Sequence, residues 1–114
     1  MKRSRTFRLT LSGSGNVVYS PAIPMSGFNS CGASVVMQQL SGSTPDVNVT
    51  LQVSMDGENW SEPSIGPAGS QDVADVGVAP LDPMTPILAP YIRLKFTLTG
   101  DLGIFFVDLT TYTN

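Results

Sequence analysis

Between Val47 and Met55 every second residue is apolar: Val47, Val49, Leu51, Val53 and Met55 alternate with Asn48, Thr50, Gln52 and Ser54. Side chains along a strand point to opposite faces in turn, so this run reads as a strand with one buried face and one wet face. A helix would scatter the same apolar set around its circumference. The period recurs in Phe7, Leu9 and Leu11, and again in Ile92, Leu94, Phe96 and Leu98. A further strand is expected from about Ile104 to Thr111, with apolar side chains on both faces. Val17 to Tyr19, Ala33 to Leu40 and Val73 to Val78 are weaker strand candidates. No window carries a helical period, and valine and threonine, which suit strands, dominate.

Turn residues separate these runs. Ser12-Gly13-Ser14-Gly15, Ser41 to Asp46, Asp56-Gly57-Glu58-Asn59 and Thr99-Gly100-Asp101-Leu102-Gly103 punctuate the chain. The last link is short, so the strands on either side of it are expected to form a hairpin. Six to eight short strands with polar turns predict an all-β domain, a single β-sandwich of jelly-roll type. The 114 residues suit one such domain.

One segment breaks the rhythm. Pro63 to Pro90 holds six of the nine prolines and no basic residue. Pro80, Pro83 and Pro86 recur at the three-residue period of polyproline II, which would place Leu81, Met84 and Ile87 together on an adjoining face. Two readings follow: a loop that packs on its own core, or an extended arm that reaches a neighbouring subunit. The second makes Leu81, Met84 and Ile87 assembly contacts.

Charge is sparse and segregated. Only 13% of residues are charged, about half the usual share, and the mean hydropathy is +0.12. Lys2, Arg3, Arg5 and Arg8 supply four of the six basic residues, and all nine acidic residues lie from Asp46 onward. The strand pattern starts near Thr6, so residues 1–5 are expected to project as a cationic tail from a domain spanning 6–114. Lys2, Arg3, Arg5 and Arg8 then become candidate contacts to an acidic surface. Nucleic acid is not the expected partner, because the acidic body would repel phosphates. The residues after Arg8 lack the apolar core of a secretory signal, and no 18-residue apolar run exists, so neither export nor a membrane span is expected.

The residue inventory argues against an enzyme. Histidine is absent, there is no Gly-x-Ser-x-Gly elbow, and no glycine-rich phosphate loop appears. Cys31 is the one cysteine, so it has no disulfide partner in the chain and is expected in the core. No zinc set is present, and Asp56, Glu58 and Asn59 lack the spacing of an EF-hand, so no metal or other cofactor is expected. Those three residues with Trp60 form either a structural turn or part of a ligand site.

Val53-Ser54-Met55-Asp56-Gly57-Glu58-Asn59-Trp60-Ser61 resembles the S-x-D-G-x-x-W turn of discoidin-like carbohydrate-binding sandwiches, and Tyr91-Ile92-Arg93-Leu94 is similar to their R-Y-I-R-I strand. The same pair of features, with Tyr91 to Gly100 leading into a closing strand, also resembles small β-sandwich virion proteins of tailed phages. The resemblance covers roughly residues 47–111. It implies that Trp60 either caps the sandwich or offers a platform on which a sugar stacks. Discoidin domains usually tie their termini with a disulfide, which this chain lacks. The expectation that follows is a non-enzymatic structural protein in an oligomeric assembly, a capsid decoration or cement protein of a virion, with itself or a shell protein as partner. The alternative is a carbohydrate-binding or adhesion module with a glycan as ligand.

Overall fold

A computed structural model describes residues 2–62 and 70–114 of the chain. Within them nine strands run in order: β1 Lys2–Ser12, β2 Val17–Tyr19, β3 Ile23–Pro24, β4 Ser30–Ser41, β5 Asp46–Ser54, β6 Ser70–Val73, β7 Gly77–Pro80, β8 Tyr91–Thr99 and β9 Leu102–Tyr112. They form two antiparallel sheets. The first has the order β1-β9-β4-β7, and the second β2-β8-β5-β6, with β3 also paired to β8.

β2 and β3 are two halves of one interrupted edge strand, since both pair with β8. The break falls at Ser20-Pro21. Proline has no N–H to give to the ladder, and the Leu94 N–H is accepted by the Ser20 hydroxyl at 2.9 Å, where a regular strand would supply a backbone carbonyl. Counting that pair as one, eight strands pair first with last, second with seventh, third with sixth and fourth with fifth, alternating between the sheets. This is the wiring of a jelly roll, so the expected single β-sandwich is the observed fold.

The core lies between the sheets. Val47, Val49 and Leu51 of β5 stand opposite Leu98, Phe96 and Leu94 of β8, and all six are buried. Phe105, Val107 and Leu109 of β9 with Val35 and Met37 of β4 fill the facing layer. The Phe96 and Phe105 rings meet across the gap with centroids 5.2 Å apart. Cys31 is fully buried, and desolvation pushes its thiol up to about 12, leaving it a neutral small core residue.

Four expectations are corrected. Residues 2–5 are not a projecting tail: they are strand, with Lys2, Arg3, Ser4 and Arg5 opposite Tyr112, Thr111, Thr110 and Leu109. β9 offers an equally long backbone ladder, and the cations sit on an edge strand where solvent reaches them. β8 and β9 are not a hairpin, because they belong to different sheets. The backbone groups of their link bond to other corners instead: Asp101 N–H to Ser41 O at 2.8 Å and Gly13 N–H to Asp101 O at 2.9 Å. Gly100, at φ +126°, packs so closely that a Cβ there would lie 2.7 Å from Ser41 O. Val73 to Val78 is not one strand; β6 and β7 lie in different sheets. Met55, the last of the alternating apolar residues, is exposed, because β5 ends at Ser54 and the turn begins.

The proline-rich segment, apart from residues 63–69 outside the described residues, packs on its own domain. Leu81, Met84 and Ile87 are buried in the core, so they are not contacts to a neighbour. Their N–H groups bond successively to the carbonyls of Ala33, Cys31 and Asn29 at 2.7–2.9 Å, which carries the segment along β4 beyond β7. Pro80, Pro83 and Pro86, having no N–H to donate, face outward and are exposed.

Candidate functional site

The two outward sheet faces differ in chemistry. On the β1-β9-β4-β7 face, Arg8, Phe106, Val36 and Val78 lie in one row across the four strands. Val78 is 71% exposed, and Phe106 and Val36 are half-buried. Ile104 and Leu102 continue the apolar set along β9 and are also half-buried. The Arg8 guanidinium sits over the Phe106 ring, 5.5 Å from its centroid. Toward the other end the face turns polar, where Thr6 donates a 2.7 Å hydrogen bond to Asp108.

On the opposite face, the outward side of β8 presents Tyr91, Arg93, Lys95 and Thr97, opposite Ser54, Gln52, Thr50 and Asn48 of β5. The Arg93 guanidinium carbon lies 3.8 Å from the Tyr19 ring centroid and 4.5 Å from that of Trp60. Its Nε donates to Gln52 Oε1 at 2.7 Å. Gln52 is buried although it points away from the core, because it lies beneath this cluster. Among the described residues no carboxylate pairs with Arg93 or Lys95, and the Arg93 Nη groups have no acceptor.

Trp60 reaches Arg93 because the chain doubles back after β5. Ser61 rejoins Val53 through two backbone hydrogen bonds of 2.8 and 3.0 Å. The intervening turn is wound around two side chains. Asp56 Oδ1 accepts the N–H groups of Glu58 and Asn59, both at 2.9 Å, and the Ser54 hydroxyl at 3.0 Å; Oδ2 accepts Asn59 Nδ2 at 2.7 Å. Ser54 Oγ accepts the Gly57 N–H at 2.8 Å. The backbone donors of Asn59 and Glu58 hold the Asp56 carboxyl well below the usual carboxylate range. The Asp56 oxygens are engaged within the turn, which makes Asp56 and Asn59 parts of a support for Trp60. Glu58 is exposed at the tip of that turn. Among the described residues there is no group of three or more metal-ligating side chains.

The predicted residues therefore divide. Asp56 and Asn59 come together in one turn, and Trp60, which follows it, lies against Arg93. Lys2, Arg3, Arg5 and Arg8 line one sheet edge, and Arg5 is half-buried beside Leu109. Leu81, Met84 and Ile87 belong to the core. Tyr19 and Gln52 escaped the sequence reading. Tyr19 sits on a three-residue strand with little pattern of its own, and the burial of Gln52 depends on a tryptophan eight residues away. A groove of about 480 Å³ between Pro24–Phe28 and Ile87–Tyr91 has no ionisable side chain in its lining except Tyr91. No protein-family model matches the chain, and no curated protein matches it.

Proposed function

We propose that the chain is a non-enzymatic structural protein that docks the outward face of its β1-β9-β4-β7 sheet on a larger body, as a decoration or cement protein of a virion. The apolar set on that face carries the reading. Val78 is exposed, and Phe106, Val36, Ile104 and Leu102 are half-buried, so part of their apolar surface still faces solvent. Covering them against a partner recovers about 25 cal/mol per Å² of apolar surface. Arg8 beside Phe106, with Lys2 farther along the same face of β1, adds cations suited to an acidic shell or to the acidic body of a second copy, whereas Arg3 and Arg5 alternate to the other face, opposite Thr111 and Leu109. The virion form draws on the low charge of the chain and on the resemblance of Tyr91 to Gly100 to phage sandwich proteins.

The test compares the chain with a Phe106→Ser, Val78→Ser variant, using sedimentation velocity over a wide concentration range and recovery on gradient-purified particles. The expected result is self-association or many copies per particle, lost in the variant while a cooperative thermal transition is kept. A chain that stays monomeric and binds no particle overturns the proposal. The Tyr19 and Trp60 rings on the opposite face favour a second reading, a carbohydrate-binding or adhesion module.

A further inference from the structure

We infer that the outward face of β8 is a binding site for a carboxylate-bearing saccharide, with Arg93 and Lys95 holding the carboxylate and the exposed part of the Tyr19 ring taking the sugar. The inference deepens the second reading and is independent of docking, which uses the other sheet.

Arg93 and Lys95 are the only basic residues after Arg8 in the sequence. They stand two residues apart on one strand, so both project from the same face, about 7 Å apart. The chain has nine acidic residues, yet among those described none pairs with either cation. The guanidinium is held in place before any ligand arrives: Tyr19 approaches from the β2 side, Trp60 and Gln52 from the β5 side. Its rotamer freedom is already lost, so that cost does not fall on binding. Only Nε is engaged, which leaves both Nη groups to grip two carboxylate oxygens side by side.

The surroundings select a sugar over an acidic peptide. A peptide that adds as a strand needs a free sheet edge, and the edge beside this site is the three-residue β2, which Ser20-Pro21 cuts short. β8 lies between β2 and β5, so its backbone groups are engaged in ladders and its outer face offers side chains alone. A pyranose can be read by side chains alone. Its C–H face packs on an aromatic ring, its hydroxyls meet neutral polar groups such as the Thr50 and Thr97 hydroxyls, and its carboxylate meets the fork. Tyr19 is 43% exposed, which leaves ring surface beyond that covered by Arg93.

Trp60 is the single tryptophan of the chain, so its fluorescence reports on this site alone. The purified full-length chain is titrated with trigalacturonic acid and with 3′-sialyllactose, which present the same group on two kinds of sugar. The methyl ester of the first, lactose and hexaglutamate serve as comparisons. The expected result is a saturable change in Trp60 emission with at least one acidic sugar, and none with the ester, with lactose or with hexaglutamate. Arg93→Gln should abolish it. Arg93→Lys, which keeps the charge but loses the fork, should weaken it by at least about tenfold. Lys95→Gln, which leaves Gln52 and the stack untouched, should weaken binding while keeping the wild-type melting temperature. Absence of response to both acidic sugars, an equal response to hexaglutamate or to the ester, or unchanged binding in the Lys95 and Arg93 variants overturns the inference.

Discussion

At the residue scale, one position separates the core from the surface along β5. Val49 is buried against Phe96, while Thr50 points outward and donates to Asn48 at 2.9 Å. Val49→Asp places an unpaired carboxylate in the core at a cost of several kcal/mol, comparable to the whole stability of a small domain. It should therefore abolish the cooperative thermal transition, whereas Thr50→Asp should shift it by only a few degrees. A more damaging Thr50 change would contradict the register. The parity of Val49 is legible in the sequence because burial on a strand repeats every two residues. The buried state of Gln52 is not. It arises from a loop that folds Trp60 back over the outer face, and nothing within β5 encodes it. Arg93 was legible as an outward residue, but its ring partners come from β2 and from the turn after β5, elements whose approach depends on the tertiary fold.

At the element scale, β1 changes the meaning of the N-terminal charges. It is an edge strand, paired on one side only, and Lys2, Arg3, Arg5 and Arg8 are spaced along it. Charges on an edge oppose pairing with the same edge of another copy. Deleting residues 2–5 removes the ladder opposite Tyr112 to Leu109 and uncovers Leu109. With roughly 1 kcal/mol for each lost ladder bond, the deletion should cost about 1–3 kcal/mol, read as a melting temperature lower by about 4 °C or more. An unchanged melting temperature would mean that these residues hang free. The start of β1 was hidden because Lys2 to Arg5 carry no apolar alternation; the backbone of β9 recruits them. The β8–β9 link was misread for a related reason. A short glycine turn shows that two strands are near in space, but both a hairpin and a sheet-crossing corner satisfy that. Contacts with the Ser41–Gly42 corner decide between them.

At the scale of the whole molecule, the sandwich has two unlike outer faces, one apolar with cations along its edge, the other bearing the Arg93 cluster. Residues 9–114 hold two basic and nine acidic side chains, a net charge of −7, while the first eight residues carry +4. Because β1 is built into the first sheet, that asymmetry falls along one edge of the sandwich, with Lys2 and Arg8 on the outward face and Arg3 and Arg5 on the other. If the proposed docking uses Lys2 and Arg8, both exposed, salt should weaken it at the ~8 Å screening length of physiological buffer. The pairing of the first strand with the last has a further consequence, which concerns time. β9 lies between β1 and β4, so the first sheet has no middle until residues 102–112 exist. A chain growing on a ribosome must carry β1 unpartnered until then. Contacts so distant along the chain form slowly, so refolding of the purified chain should take milliseconds to seconds in stopped-flow fluorescence, and microsecond folding would contradict the pairing. Ending the chain after Thr99 should leave a species with no cooperative melt. Throughout synthesis the nascent protein exposes open strand edges, and the cations of β1 keep neighbouring nascent copies from joining along that edge before β9 arrives.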